Sequence, residues 1–264
     1  MNATQLGDLR KTAYQNGYMF ENPDATAADL ANYTENYIMA PNNVFAQEEL
    51  DTYLSGRSYD WVDPVLRTGF TTSHNLSFSR ANENTNFYIS LGMKDLTGTV
   101  LGTSQQRYNG RINASANITP WLKVGTNTTY SYQHDNMTDD NVYNKAYYCD
   151  PLLDNTPFLD DATRHNEEYL CTWWQSPNTE KNNNFNPYNT LDIKTERSRY
   201  HFTSSNYINI NPIDGLNIRS TFAVNRAEQS WNQYQPTGIQ ESIRYRGGDA
   251  QASQQRFADT QWQW

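Results

Sequence analysis

The stretch Thr85-Asn86-Phe87-Tyr88-Ile89-Ser90-Leu91-Gly92-Met93 decides the fold class of this chain. Every second position in it is apolar, namely Phe87, Ile89, Leu91 and Met93. A period of two sustained over this length indicates a β-strand with one apolar face and one polar face. The stretch therefore predicts a sheet that is solvated differently on its two sides.

The same alternation recurs along the chain. Strands are predicted at about 71–80, 84–94, 105–118, 121–133, 197–211 and 216–228, with a last one from about 251. The connections between them are short, long, short and long in turn. Outer-membrane barrels have tight turns on one side and long loops on the other, whereas soluble sandwiches have no reason to sort their loops. We therefore predict an all-β fold, an open and incomplete segment of an antiparallel up-and-down transmembrane β-barrel of about seven strands, with long extracellular loops that carry short helices.

The composition is polar for a protein of this size. Of 264 residues only 36% are hydrophobic, yet 14% are aromatic, and the mean hydropathy is -0.89. A barrel with a wet lumen and interfacial Tyr and Trp explains both facts. Composition alone favours a soluble Tyr- and Asn-rich β-protein, such as a lectin or an adhesin module. The order of strands and loops is what favours the barrel.

Charge and motifs exclude several classes of function. The net charge of -9 argues against nucleic-acid binding and against docking on anionic lipid. The four histidines have no metal-ligand spacing, and neither a phosphate loop nor a nucleophile elbow occurs. Acidic pairs at 139–140, 160–161 and 167–168 are interpreted as solvated loop residues. We therefore predict no catalytic residue, no metal site and no cofactor.

Two regions differ in pattern. Residues 1–70 show no sustained strand period, and Thr26 with Asp29 predicts the capped start of a short helix, with a second near 45–50. We expect 1–70 to be an extracellular loop region with short helices, and 71–264 to be a partial barrel with a large extracellular loop at about 133–196. No signal peptide is present, and an odd number of strands leaves two raw edges. The chain is therefore expected to be a fragment of a longer protein.

The large loop holds the candidate binding residues. Its aromatic candidates are Tyr143, Tyr147, Tyr148, Trp173 and Trp174. Such rings stack on sugar faces or anchor a protein partner, and the alternative is that they pack the loop against itself. Cys149 and Cys171 lie in the same loop, where a disulfide and two inert thiols are both open.

An ordered chain of motifs carries a family resemblance. A D-W-x-D and R-T-G-x-x-x-x-H-N-L-S run covers 60–77, and R-Y-x-x-R-x-N and W-L-K-V-G runs follow the hairpin strand at 86–93. The residues that carry the match are Trp61, Asp63, Arg67, Gly69, His74, Asn75, Tyr88, Gly92, Arg107, Tyr108 and Trp121. N-P-Y-N at 186–189 and G-L-N-I-R-S at 215–220 continue it. Together they resemble SusC/RagA-type TonB-dependent outer-membrane transporters.

The resemblance implies a barrel of about 22 strands with a plugged lumen in the outer membrane. It implies uptake of an oligosaccharide or a peptide, coupled through TonB, with a SusD-like lipoprotein over the outer loops. The motif residues would then be structural. Neither a plug domain nor a TonB box is found in these residues, which keeps a second function open: a surface adhesin or glycan-binding β-protein without TonB coupling.

Overall fold

The structure is a computed structural model, and it describes residues 1–138, 142–156, 187–237, 239, 242 and 246–264. The helices are α1 (Ala3–Glu21), α2 (Ala27–Tyr33), α3 (Gln47–Ser55) and α4 (Val142–Tyr147). The strands are β1 (Phe70–Ala81), β2 (Thr85–Thr97), β3 (Ser104–Thr119), β4 (Leu122–Met137), β5 (Lys194–Ile213), β6 (Leu216–Gln235) and β7 (Gln251–Gln263). A π-helical turn spans Thr34–Ile38, and 3-10 turns span Asp63–Val65 and Pro187–Asp192.

The chain divides into two compact units. The helical unit comprises Met1–Arg67, Asp139–Ile193 and Gln235–Gln251. The sheet unit comprises Thr68–Thr138, Lys194–Tyr234 and Ala252–Trp264.

The described strands form one antiparallel sheet in the order β1-β2-β3-β4-β5-β6-β7. Each strand pairs with the next along the chain, which is the up-and-down topology that the sequence predicts. The connections contain three, six, two, fifty-six, two and fifteen residues. The first of the predicted long connections is thus a six-residue turn, because β2 runs on to Thr97 and β3 begins at Ser104. We call the end of the sheet with the three longer connections the long-connection end, and the other the turn end.

Local chemistry fixes the tight turns. Between β1 and β2 the Asn82 side-chain oxygen accepts the backbone N–H groups of Asn84 and Thr85 at 3.0 and 2.7 Å. Between β5 and β6, Gly215 has a φ of 85°, a left-handed conformation that glycine adopts without a steric penalty. Pairing of the flanking strands therefore starts from a defined register at each turn.

The cross-strand register separates the two faces as the alternation predicts. One row of facing residues runs Leu76, Leu91, Gly110, Tyr130 and Phe202, and the next runs Phe78, Ile89 and Ile112. We call this side the apolar face and the opposite side the polar face. Leu76, Phe78 and Leu91 are 72%, 61% and 59% exposed. These rows are not the dry interior of two layers, so the soluble sandwich alternative is wrong.

The helical unit is better ordered locally than its sequence suggests. Its longest helix, α1, lies where only short helices are predicted, and Asn2 and Gln5 cap it reciprocally at 2.9 and 3.0 Å. The predicted cap of α2 is confirmed, since Asp29 accepts the Thr26 N–H at 2.8 Å. The core of the unit contains Ala3, Ile38, Val44, Phe45, Leu50 and Leu152. Among the described residues, no helix has the length and the apolar character that a membrane span requires.

Candidate functional site

The polar face of the sheet is a basic surface in an acidic protein. Over β1 to β6, all of whose residues the structure describes, the register places seven cations on this face and one carboxylate. The cations are Lys94, Arg107, Arg111, Lys123, Arg197, Arg199 and Arg219, and the carboxylate is Asp135. The chain as a whole has 29 acidic and 20 basic residues, so this segregation is produced by the fold.

Asp135 organises the long-connection end of this face. Its Oδ2 atom accepts hydrogen bonds from Arg197 Nε at 3.0 Å and from an Arg199 terminal nitrogen at 3.1 Å. Its Oδ1 atom accepts the side-chain amides of Gln105 at 2.9 Å and Gln133 at 2.7 Å. Asp135 is 3% exposed, so its charge reaches solvent only through these partners. One carboxylate shared by two guanidinium groups leaves the network with a net positive charge.

The two aromatic rings nearest the basic residues of β5 and β6 are already occupied. The Arg197 guanidinium lies 5.8 Å from the centroid of Trp231, and that of Arg219 lies 4.2 Å from the centroid of Tyr207. Cation–π contacts of this kind hold the guanidinium groups over the rings. The polar face therefore presents guanidinium groups in places where a stacking surface would otherwise be free.

In the helical unit, two motifs that are far apart in the sequence meet. The Trp61 and Tyr188 rings stack with their centroids 5.5 Å apart, and the Tyr188 hydroxyl donates to the Trp61 carbonyl at 3.1 Å. The Trp61 indole N–H donates to the Asp150 carbonyl, also at 3.1 Å. Asn155 donates to the Asp60 carbonyl and to the Tyr188 hydroxyl. Trp61 is buried at the centre of this junction, so its predicted structural role fits its surroundings.

A largely buried ion cluster lies beside the junction. Arg10 of α1 donates to Glu49 of α3 at 3.1 Å and to Asp150, which follows α4. Burial alone would lower the pKa of Arg10, but the carboxylates of Asp150 and Glu49 raise it above its ordinary value. Burial raises the pKa of Asp150, and the neighbouring Glu49 carboxylate adds to this, which together outweigh the lowering by Arg10. The cluster ties three segments of the helical unit together.

The motif residues of the strands lie on both faces. Asn75, Tyr88, Gly92 and Arg107 are on the polar face, whereas His74 and Tyr108 are on the apolar face. The structure explains why glycine occupies position 92. A Cβ atom there would lie 2.6 Å from Asn75 Oδ1 and 2.5 Å from Asn109 Nδ2. Only glycine lets these two amides approach across the strands.

The other motif residues lie at ends and turns. Trp121 forms the β3–β4 turn, half exposed, and its carbonyl accepts the Asn211 N–H at 2.8 Å. Asp63 begins a 3-10 turn, and its backbone carbonyl accepts the Leu66 N–H at 3.0 Å. Arg67 is exposed just before β1, and a Cβ at Gly69 would lie 3.0 Å from a Thr99 methyl. At these positions the residues set the direction of the backbone and the distance between neighbouring segments, which is a structural role rather than a ligand-binding one.

The loop candidates are resolved in part. Tyr143 and Tyr147 of α4 stack at 6.4 Å, and Tyr148 meets Tyr147 edge-on at 5.5 Å. All three rings are exposed, so a binding role stays a prediction for them. Trp173, Trp174 and the three acidic pairs lie outside the described residues.

Of the two cysteines, only Cys149 is among the described residues. The buried Cys149 thiol donates to the Lys145 carbonyl at 3.1 Å, and burial raises its pKa. Cys171 is outside the described residues, so both alternatives, a disulfide and two inert thiols, stay open.

Sequence reasoning did not select Asp135, Arg197, Arg199 or Tyr188 as site residues. For Arg197 and Arg199, the available signal was their position on the polar row of a predicted strand, at the end next to the large loop. Asp135 lies two residues beyond the predicted end of its strand at about 133, so no such signal was available for it. Tyr188 lies in the quoted N-P-Y-N motif, but its partner Trp61 is 127 residues away in the sequence.

Comparison with known proteins gives a consistent result. No protein-family model matches the chain. TonB-dependent receptor P39 of Formosa agariphila is 26% identical over 179 residues, which are 67% of this chain and 16% of the relative. TonB-dependent receptor P3 of the same organism is 25% identical over 213 residues, 78% of this chain and 19% of that protein. The chain thus spans less than a fifth of the length of these curated relatives. The resemblance to TonB-dependent receptors is confirmed.

Solved structures agree on the fold. A chain of the RagAB peptide transporter superposes with a TM-score of 0.60 at 17% identity, over 98% of this chain and 29% of that chain. The RagAB peptide importer in its closed-closed state gives 0.57 at 18% identity, over 77% and 22%. At these identities the likeness shows the fold: the sheet is a segment of this kind of barrel. The proteins compared are named receptors and transporters, not enzymes.

Proposed function

We propose that this chain is a barrel segment of a TonB-dependent importer in the outer membrane. The importer would take up an oligosaccharide or a peptide together with a SusD-like surface lipoprotein. The observation that carries the proposal is a single sheet with an exposed apolar face on one side and a basic polar face on the other. In a membrane barrel the apolar face would contact hydrocarbon and the polar face would contact water, because barrel strands alternate lipid-facing and lumen-facing residues.

The charges of the apolar face support this arrangement. Arg226 and Arg256 both bind Glu228, the first at 3.3 Å, near the long-connection end of β6. A charge on the lipid side of a barrel is costly at the membrane midplane and cheap near the interface. Pairing and a position far from the turn end both reduce that cost. In this proposal the long connections and the helical unit are extracellular, and the tight turns are periplasmic.

Uptake in cells tests the proposal. The protein is expressed in its native outer membrane with and without TonB, and accumulation of labelled peptides and oligosaccharides is measured. We expect accumulation to require TonB, while binding at the surface persists without it. Uptake that does not depend on TonB, or binding with no uptake under either condition, contradicts the proposal. The second outcome is the one that the adhesin alternative predicts.

Affinity purification tests the partner. A tag in the exposed turn at Asp214-Gly215 lies away from the long connections, so it should leave an outer lid undisturbed. We expect a surface lipoprotein of the SusD type to co-purify in mild detergent. Its consistent absence, from cells that express it, contradicts the partnership without affecting the transport test.

A further inference from the structure

The basic polar face has a feature that transport alone does not require. Lys94 of β2 lies directly opposite Arg107 of β3, both on the polar face. Like charges in directly opposed positions destabilise a sheet. No carboxylate among the described residues forms an ion pair with either side chain. The fold therefore keeps two like charges in directly opposed positions on this face.

The neighbours of this pair add to the positive field. Lys94, Arg107 and Arg199 lie in one cross-strand row, with Gln133 between the two arginines. Adjacent strands are about 4.8 Å apart, so four strands bring these cations within roughly 15 Å of one another. Arg199 Nε is buried and has no hydrogen-bond partner among the described residues. Asp135 is saturated by four donors, so it cannot neutralise the row.

Cations without a carboxylate partner among the described residues lie mainly on the polar face. On the apolar face Arg226 and Arg256 have their own carboxylate in Glu228. On the polar face Lys94, Arg107, Arg111 and Lys123 have none among the described residues. An anion on the water-filled side of the sheet would supply the compensating charge.

Resting on the proposed function, we propose that the cargo is an anionic peptide. Its carboxylates bind the cross-strand row of Lys94, Arg107 and Arg199, which we call the basic row, as it passes along the polar face. A peptide fits better than a charged glycan, because sugars are held largely by stacking on aromatic faces. Of the three aromatic residues on this face of β1 to β6, Trp231 and Tyr207 are covered by Arg197 and Arg219, which leaves Tyr88. A carboxylate needs only the donors that the basic row presents.

A binding experiment with the protein in detergent micelles tests the inference. The probes are a fluorescent Glu-rich peptide, its Gln counterpart and an oligouronate. We expect the Glu-rich peptide to bind more tightly than the Gln peptide, and its affinity to fall steeply between low and high salt as the charges are screened. Arg107→Gln should weaken binding about tenfold, the effect of one charge-assisted hydrogen bond. Arg80→Gln removes the same charge from the apolar face and should leave binding unchanged.

Three results would overturn the inference. These are equal binding of the Glu and Gln peptides, equal losses in the two variants, and tighter binding of the oligouronate than of the acidic peptide. Arg107→Gln also relieves the repulsion with Lys94, so its unfolding midpoint should not fall, and a loss of binding cannot be attributed to misfolding. The binding experiment and the TonB experiment can fail independently. Charge-selective binding without TonB-dependent uptake would contradict the importer function and would still support the anion site.

Discussion

The helical unit and the sheet unit use the same kinds of residue in opposite ways. All the buried hydrophobic side chains among the described residues belong to the helical unit, where Phe45 and Leu152 have no exposed surface. In the sheet unit none of the large apolar residues described is buried and many are exposed, whereas the buried residues include polar ones such as Asp135, Thr195 and Ser204. The first unit is organised like a small water-soluble protein. The second has the arrangement expected of a sheet with an apolar environment on one face and water on the other.

Charge divides along the same line. The segments of the helical unit contain 22 acidic and 9 basic residues, whereas those of the sheet unit contain 7 and 11. The overall charge of -9 therefore describes neither unit. A negative charge on the helical unit does not exclude a positive field on one face of the sheet, because local potentials follow from where the charges are held.

The largest test addresses the ion cluster of the helical unit. Arg10→Met removes the guanidinium shared by Glu49, whose side chain has no exposed surface, and Asp150. Breaking a buried ion pair by removing one partner costs about 3–5 kcal/mol. We expect a loss of this size in the unfolding free energy of the helical unit, followed by Trp fluorescence. Lys11→Met is the matched control, since Lys11 contacts Asp8 only at 4.0 Å. Equal effects of both variants would show that the cluster contributes little.

The second test asks which solvent each face meets. Leu76→Lys and Ser77→Lys place the same cation on adjacent residues of β1 that point to opposite faces. In a bilayer the first should lower stability by about 2–4 kcal/mol, as for a charge near the membrane midplane, and the second by less than about 0.5 kcal/mol. Urea unfolding of the protein in lipid measures both. Equal costs would mean that the apolar face does not lie against hydrocarbon.

A third test concerns close packing between strands. Gly92→Ala puts a methyl group within 2.6 Å of Asn75 Oδ1, so strands must separate or the amides must turn away. Overpacking costs about 1–3 kcal/mol, and we expect the lower end, about 1 kcal/mol, because the atoms in the way are the ends of two Asn side chains. At Gly110 a Cβ would meet only a Leu91 methyl at 3.6 Å, an ordinary contact, so Gly110→Ala should change stability by less than about 0.5 kcal/mol. Indistinguishable unfolding curves for the two variants would contradict the steric account of Gly92.

The sequence predicted the sheet well because the decisive information is local. A period of two survives in each strand regardless of its neighbours, and β7 begins at Gln251, as predicted. The turns were readable for the same reason, since residues such as Gly215 act on their own backbone. The ends were less accurate: β5 begins three residues earlier than predicted and β6 ends seven residues later. There the alternation fades into polar residues on both faces.

The helical unit and the basic row were harder to foresee. Helix α1 has a polar sequence with a weak apolar stripe, so little in it distinguishes a long helix from a loop. The junction of Trp61 with Tyr188 depends on a fold that joins distant segments. The repulsive pair of Lys94 and Arg107 depends on register, and a shift of one residue would put Arg107 opposite a different side chain. Local pattern gives the face of a residue but not its cross-strand partner.

The smallest effect concerns Cys149. Burial, and secondarily the Asp150 carboxylate, raises the pKa of its thiol, so the neutral thiol is favoured in the folded state. The contribution of the neutral Cys149 thiol to the stability of the folded state is fully present below the unfolded-state pKa of about 8.5, and it is lost as the pH rises above that value. In a Cys171→Ser variant at pH 8 we expect alkylation at least about tenfold slower than for an exposed thiol of ordinary pKa, and fast in urea. Alkylation of the folded variant as fast as in urea would contradict the burial. In the unsubstituted chain, labelling in urea that requires prior reduction would show that Cys149 and Cys171 form the disulfide.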